Sequence, residues 1–159
     1  MTNTAYVGIG ANLGDAQQTV LAAIAAMATL AGTRVDACSS LFMSAPVDAG
    51  GNDFINAVAR LETDLPAQPL LDHLQRIELA FGRERPFRNA PRTLDLDLLI
   101  YNQLEMRSDT LQLPHPRMSD RAFVLLPLLE LAPDICIPGK GAARDYLPAV
   151  SAQKIERLR

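Results

Sequence analysis

Two carboxylates two residues apart, Asp95 and Asp97, stand in the otherwise apolar run Leu94 to Tyr101. Such a run reads as a strand, along which side chains alternate between faces. Leu94, Leu96 and Leu98 then share one face, and Asp95 and Asp97 project together from the other, roughly 6.5–7 Å apart. Two like charges held that close in apolar surroundings are costly unless something positive neutralises them. Just upstream lie Arg83, Arg85, Arg88 and Arg92. Hard oxygen ligands beside clustered guanidiniums are what a metal-assisted reaction on a polyphosphate needs. The competing reading is the wet face of a half-exposed strand carrying surface ion pairs of small value. The leucine face, and more arginine than pairing requires, favour the metal–phosphate reading.

The rest of the chain must hold those groups in place. Its 159 residues, 48% hydrophobic, suit one domain over 1–159 with a real core. A net charge of −3 argues against a nucleic-acid surface, which normally carries a basic excess. The arginines are therefore local to a site. Cys38 and Cys136 fit no CxxC or zinc spacing, and no secretory signal is evident, so a reduced, cytoplasmic setting is expected. The apolar stretch Val20 to Ala31 is too short and alanine-rich to span a membrane. No membrane partner is expected, and the protein is taken as a monomer.

Ala5–Ile9 reads as a first strand, closed by Gly10-Ala11-Asn12-Leu13-Gly14. Asp15 is placed to cap a helix whose buried stripe is Val20, Leu21, Ile24, Met27, Ala28 and Ala31, with Gly32 as its stop. Thr33–Met43 reads as a second strand and Ser44–Asn52 as a mobile loop. Phe54–Glu62 alternates well: Ile55, Ala57, Ala59 and Leu61 face one way, Phe54, Asn56 and Val58 the other. After Pro66–Pro69, the positions Leu70, Leu71, Leu74, Ile77 and Phe81 have helical spacing, ended by Gly82. The Arg-rich loop then leads into the aspartate strand. Leu111-Gln112-Leu113 is strand-like, and Phe123–Leu131 is helical with a break or kink expected at Pro127. Lys140 sits in a turn between Gly139 and Gly141, and a short final helix is expected. The order β-α-β-β-α-β is the split βαβ arrangement of ferredoxin-like folds. The fold class is accordingly α+β, an antiparallel sheet with helices packed on it and C-terminal helical additions. The aspartate strand is placed centrally, with Phe54, Asn56 and the aspartates on one surface.

Other motifs carry less. Gly8, Gly10 and Gly14 are spaced GxGxxxG, so a tight strand-to-helix turn explains them better than a dinucleotide site. No P-loop is present. His115 has His73 as its only companion histidine, which cannot build a zinc site, but the rigid Pro114-His115-Pro116-Arg117 segment can present a donor to phosphate. Gln75 and Glu78 lie on the polar face of the second helix, and spacing alone reads them as solvent-exposed.

Taken together the residues resemble the 6-hydroxymethyl-7,8-dihydropterin pyrophosphokinase family. The likeness runs through Gly10-Ala11-Asn12-Leu13-Gly14, Ser44-Ala45-Pro46, Asp53-Phe54-Ile55-Asn56-Ala57, Gln75-Arg76-Ile77-Glu78 and Gly82-Arg83-Glu84-Arg85. It continues through Arg88 to Leu99, where Pro-Arg-x-x-Asp-Leu-Asp is highly specific, then Pro114–Arg117 and Arg121-Ala122-Phe123-Val124. The resemblance implies transfer of the β,γ-diphosphate of ATP to the pterin hydroxymethyl oxygen, leaving AMP, in folate biosynthesis. It also implies a Mg²⁺-dependent enzyme.

By the same resemblance Asp95 and Asp97 are ligands of two magnesium ions, and Arg83 and Arg92 are catalytic phosphate clamps. Phe54 and Phe123 sandwich the pterin, Asn56 reads its polar edge, and Ala45, Pro46, Val47 and Asp95 assist. Gln75, Arg85, Arg88, Leu98, Gln112, His115 and Arg121 join the two clamps around ATP. Asn89 stands where the family commonly has an aromatic residue, Thr110 where a basic one is frequent, and the Arg83–Arg92 loop is slightly short. Ala49–Asn52 and the Arg-rich loop are the expected lids. The rival readings are a two-metal nuclease and a ferredoxin-like nucleic-acid-binding module, the latter poorly served by few aromatics and no basic face.

Overall fold

The computed structural model describes residues 3–45, 52–82 and 94–158. Its first strand, β1 (Asn3–Ala11), sends Ala5, Val7, Ile9 and Ala11 into one core and Tyr6 into a second on the opposite face. Cover on both sides is why β1 is buried almost throughout. Asp15 does cap the first helix, α1 (Ala16–Ala28), accepting from the Gln18 amide at 3.2 Å. Val20, Ala23 and Met27 form its buried face, whereas Leu21, expected in that stripe, is 49% exposed. Ala28 and Ala31 are exposed as well. The helix closes at Thr29; Gly32, expected as its stop, uses a φ of +65° to turn the chain into the next strand.

The strand expected over Thr33–Met43 is interrupted. β2 (Thr33–Cys38) and β3 (Phe42–Ser44) both run antiparallel along the same side of β4 (Phe54–Thr63), slipping register between them. Ser39 bridges the gap: its N–H donates to the Val58 carbonyl, and its Oγ accepts from the Val58 amide, both at 2.9 Å. A side chain thus replaces a missing ladder partner. Helix α2 (Ala67–Gly82) starts before Pro69, not after it, because a proline in the first helical turn forfeits no intrahelical bond. Its expected stripe holds, with Leu70, Leu71, Leu74 and Ile77 buried.

Strand β5 (Asp95–Tyr101) pairs with β1. Leu94, Leu96 and Leu98 enter the helix-covered core as alternation requires. A register shift opposite Tyr6 and Val7 inserts one extra residue, so Leu99 and Ile100 both turn to the second core. A small hairpin follows, β6 (Met106–Arg107) with β7 (Gln112–Leu113). Helix α3 (Ala122–Leu131) runs through the buried Pro127 without the expected break. The Gly139-Lys140-Gly141 turn joins β8 (Cys136–Ile137) to β9 (Gly141–Ala142). In place of the expected final helix there are two short 3₁₀ turns and a strand, β10 (Ile155–Arg157), paired with β3.

The main sheet runs β10-β3-β4-β1-β5, with β2 also on β4, which is the ferredoxin-like strand order extended by β10. β5 therefore lies at an end of that order, not at its centre as expected. Helices α1 and α2 bury one sheet face. On the other, α3 packs Val124, Leu125 and Leu128 over Tyr6, Val58, Leu99 and Ile100, and among the described residues the rest of that face borders a cavity. The α+β class and antiparallel sheet match expectation. Pro46, Val47, Arg83, Arg85, Arg88 and Arg92, and most of both expected lids, lie outside the described residues. Among the described residues no helix is long and apolar enough to cross a membrane.

Candidate active site

The open part of the sheet has a specific row of residues. Gly10 of β1 stands opposite Asn56 of β4 on one side and Asp95 of β5 on the other, and Gly8 stands opposite Asp97. All five belong to the same sheet face. With glycine at both central positions, β1 itself raises no side chain between the amide and the two carboxylates, and Leu99 packs over Gly8, 3.5 Å from where a Cβ would stand. A Cβ on Gly10 would come within 3.3 Å of Asn56 Oδ1. At about 4.8 Å per strand, Asn56 and Asp95 are roughly 10 Å apart across this floor. Above it is a cavity of about 930 Å³, walled by Ala45 and Phe54 on one side and Arg121 and Phe123 on the other. Its size suits a small-molecule site.

The walls are organised by hydrogen bonds. Asn56, only 3% exposed, donates from Nδ2 to Ser44 Oγ at 2.7 Å. Its nitrogen is thereby engaged, and Oδ1 is the acceptor toward Gly10 and the cavity. Asp97 lies 3.8 Å from His115 Nε2 and 3.8 Å from Arg121 Nη1. Both separations exceed hydrogen-bonding reach, so these two groups act on Asp97 through their field. His115 is anchored by its own amide on the Leu99 carbonyl at 2.8 Å, and its Nδ1 accepts from the Arg117 amide at 3.1 Å. The ring proton therefore sits on Nε2, toward Asp97. Burial, then Arg121, hold the His115 pKa below the usual imidazole value, with Asp95 opposing and Arg117 adding. The Arg121 guanidinium carbon lies 5.5 Å from the Phe123 ring centroid, a cation–π approach.

Glu78 was expected to face solvent. Instead its Oε2 accepts from the Leu96 amide at 2.7 Å. It clamps the residue between the two aspartates, where an end strand would offer that N–H to water.

Of the residues expected in a site, Ala45, Phe54, Asn56, Asp95, Asp97, Arg121 and Phe123 line this cavity together. His115 joins them through Asp97. Leu98 faces the opposite core at 3% exposure, leaving only its main chain available to a ligand. Gln75 is exposed on α2 and Gln112 lies on β7, both outside this cavity. Gln112 instead borders a hollow of about 470 Å³ with Arg107 and Lys140. Ser44, Gln153 and Lys154 also line the main cavity. The sequence pattern gives none of these three a role of its own.

Among the described residues no group of three or more His, Cys, Asp or Glu is placed to hold a metal. Paired carboxylates alone nonetheless suit Mg²⁺, which usually takes one or two and completes its shell with water and substrate phosphate. The donor set fits that ion when a polyphosphate is present.

A family model described as 7,8-dihydro-6-hydroxymethylpterin-pyrophosphokinase (HPPK) matches residues 6–133. A Pseudomonas aeruginosa protein named 2-amino-4-hydroxy-6-hydroxymethyldihydropteridine pyrophosphokinase is 42% identical over 159 residues, covering 99% of this chain and 98% of that protein. A Haemophilus influenzae protein of the same name is 37% identical over 156 residues, covering 98% of each. Among solved structures, wild-type Plasmodium falciparum HPPK-DHPS with pteroate shares the fold at a TM-score of 0.73 and 12% identity. That likeness covers 93% of this chain and 44% of the other, so the chain spans under half the length of that structure.

Proposed function

Since this chain belongs to the 7,8-dihydro-6-hydroxymethylpterin-pyrophosphokinase family, whose activity is diphosphate transfer to the pterin in folate synthesis, we propose that the transfer happens over the glycine floor. The observation that carries this reading is the register itself: an amide acceptor, a glycine floor and one carboxylate in a single row, with the second carboxylate beside it on the same face. A flat heteroaromatic ring lies between Phe54 and Phe123, and Asn56 Oδ1 accepts from its N–H edge. Ser44 supports that polarity by occupying the amide nitrogen. Main-chain groups of Ala45, and by family resemblance Pro46 and Val47, complete the pterin pocket, with Asp95 at its boundary.

ATP is the co-substrate, and its phosphates reach Asp95 and Asp97. Two Mg²⁺ ions, when bound there, would offset phosphate charge and make the pterin hydroxyl more acidic. By family resemblance the adenosine half lies along β5, beyond the cavity, beside Gln75, the Leu98 main chain and Gln112. Arg121 and the resemblance-assigned Arg83, Arg85, Arg88 and Arg92 stabilise charge that builds on the phosphates. The pterin oxygen attacks the β-phosphorus in line, the bond from that phosphorus to the α-bridging oxygen breaks, and AMP departs with the electron pair. The hydroxyl proton passes to water. His115 is a poor candidate for that proton, because its Nε2 is already protonated and its Nδ1 is engaged. The enzyme is read as a cytoplasmic monomer without nucleic-acid or membrane partners; exposed, unpaired Cys38 and Cys136 suit a reducing compartment.

Incubation with MgATP decides among the candidates. AMP formed only when hydroxymethyldihydropterin is present supports the transfer, whereas ADP would indicate an ordinary kinase. Cleavage of nucleic acid would indicate the two-metal nuclease, and pterin-independent RNA binding the recognition module. The module is disfavoured further by Gly8 and Gly10 on the central strand, where base stacking requires aromatic rings.

A further inference from the structure

Arg121 and Phe123 enter the cavity from the very start of α3, yet the helix does not hold its own first turn. Arg121 is its N-cap residue, extended at φ −124° and ψ 113°, and provides no side-chain cap. The partner comes from thirty-one residues downstream of Ala122: Gln153 Oε1 accepts from the Ala122 amide at 2.9 Å. The same side chain donates from Nε2 to the Asp120 carbonyl at 2.8 Å. One amide group therefore grips the backbone on both sides of Arg121, as a neighbouring strand would. Its own base is secured too. The Gln153 amide donates to the Val150 carbonyl at 3.0 Å, and the next residues enter β10, which pairs Ile155 with Ser44. Gln153 lies beyond residues 6–133, the part matched by the family model.

We propose that Gln153 is a positioning residue for the transfer reaction, setting Arg121 against the phosphates and Phe123 against the pterin. The proposal rests on the reading above, in which those two side chains contact the substrates. The chemistry selects the residue type. Both an acceptor and a donor are needed on one planar group, which a glutamine supplies. Glutamate keeps the acceptor for Ala122 but turns a proton-free oxygen on the Asp120 carbonyl. Alanine loses both bonds. Because Gln153 is solvent-exposed, its removal leaves the apolar core intact.

The test uses the full chain as wild type, Q153A, Q153E, F123A and the double variant F123A/Q153A. Pterin affinity is measured by titration calorimetry, and kcat and KM by AMP release. Q153A is expected to bind pterin about tenfold more weakly and to lose about tenfold in kcat, with little change in melting temperature. Q153E falls between it and wild type, and carries the test if Q153A does not fold. In the double variant the loss of affinity is smaller than the product of the single losses, because Gln153 acts through Phe123. If Q153A stays within twofold of wild type while F123A loses affinity, the positioning role is wrong and the site stands. Losses that multiply in the double variant, accompanied by a large fall in melting temperature, would show a merely structural part. If F123A itself binds pterin normally, the site reading fails first and this inference with it.

Discussion

Replacing Glu78 by alanine removes the acceptor for the amide of Leu96, the residue lodged between Asp95 and Asp97. The bond is short, 2.7 Å, with a carboxylate on one side. Hydrogen bonds to charged groups contribute about 1.5–3 kcal/mol. Glu78 is only partly buried, which places it toward the lower end. For a domain of this size each kcal/mol moves the melting temperature by about 2–4 °C, so Glu78→Ala should melt roughly 3–8 °C lower. Glu78→Gln keeps a neutral acceptor and should lose about half as much. The functional effect is directional. The clamp steadies β5, whereas Phe54 and Asn56 belong to β4, so pterin affinity should hold while the Mg²⁺ concentration for half-maximal activity rises several-fold. Thermal melting measures the first effect, with the urea midpoint as its isothermal counterpart, and magnesium titration of AMP release the second. If Glu78→Ala unfolds at the wild-type urea midpoint with the wild-type magnesium requirement, the clamp neither stabilises β5 nor positions the aspartates.

Three further outcomes are expected. Asp97→Asn should lower kcat roughly a hundredfold or more while leaving pterin affinity within a few-fold, as stopped-time AMP assays and calorimetry would show. Ser44→Ala leaves the buried Asn56 Nδ2 without its partner, at a cost of about 1–3 kcal/mol in chemical unfolding. It should also weaken pterin binding, because the amide is then free to turn over. His115 is held below the usual imidazole pKa by burial and Arg121. The unfolded chain therefore takes up that proton first, and stability of the metal-free protein falls as pH drops below about 6.5. Above that value the contribution is constant. Urea midpoints followed from about pH 8 to pH 5 should flatten in His115→Gln; an unchanged slope would assign the dependence to other groups.

Much of the fold was legible because it is local. Alternation in Phe54–Glu62 and Leu94–Leu98 assigned the inner and outer faces correctly, and the spacing of Leu70, Leu71, Leu74 and Ile77 marked the buried side of α2. Asp15 announced its helix by chemistry alone. The errors fall where local rules compete with long-range ones. Leu21 fits a helical stripe but stays half-exposed among the described residues. Ser39 breaks a strand that reads as continuous, then repairs the ladder with its side chain. Ile155–Arg157 is too short to signal a strand, and it becomes one because β3 offers an edge.

What the residues carried on their own was the chemistry: two carboxylates on one side of a strand, an aromatic and an amide on another, and motifs matching a family. Which groups meet was settled by pairing across the sheet. Gly8 and Gly10, plausible as a turn in one dimension, became the floor between Asn56 and the aspartates through register alone. Glu78 and Gln153 gained their roles from partners 18 and 31 residues away. Periodicity is written in neighbours three or four residues apart at most, and a hydrogen bond between distant segments has no such signature until the backbone brings its ends together.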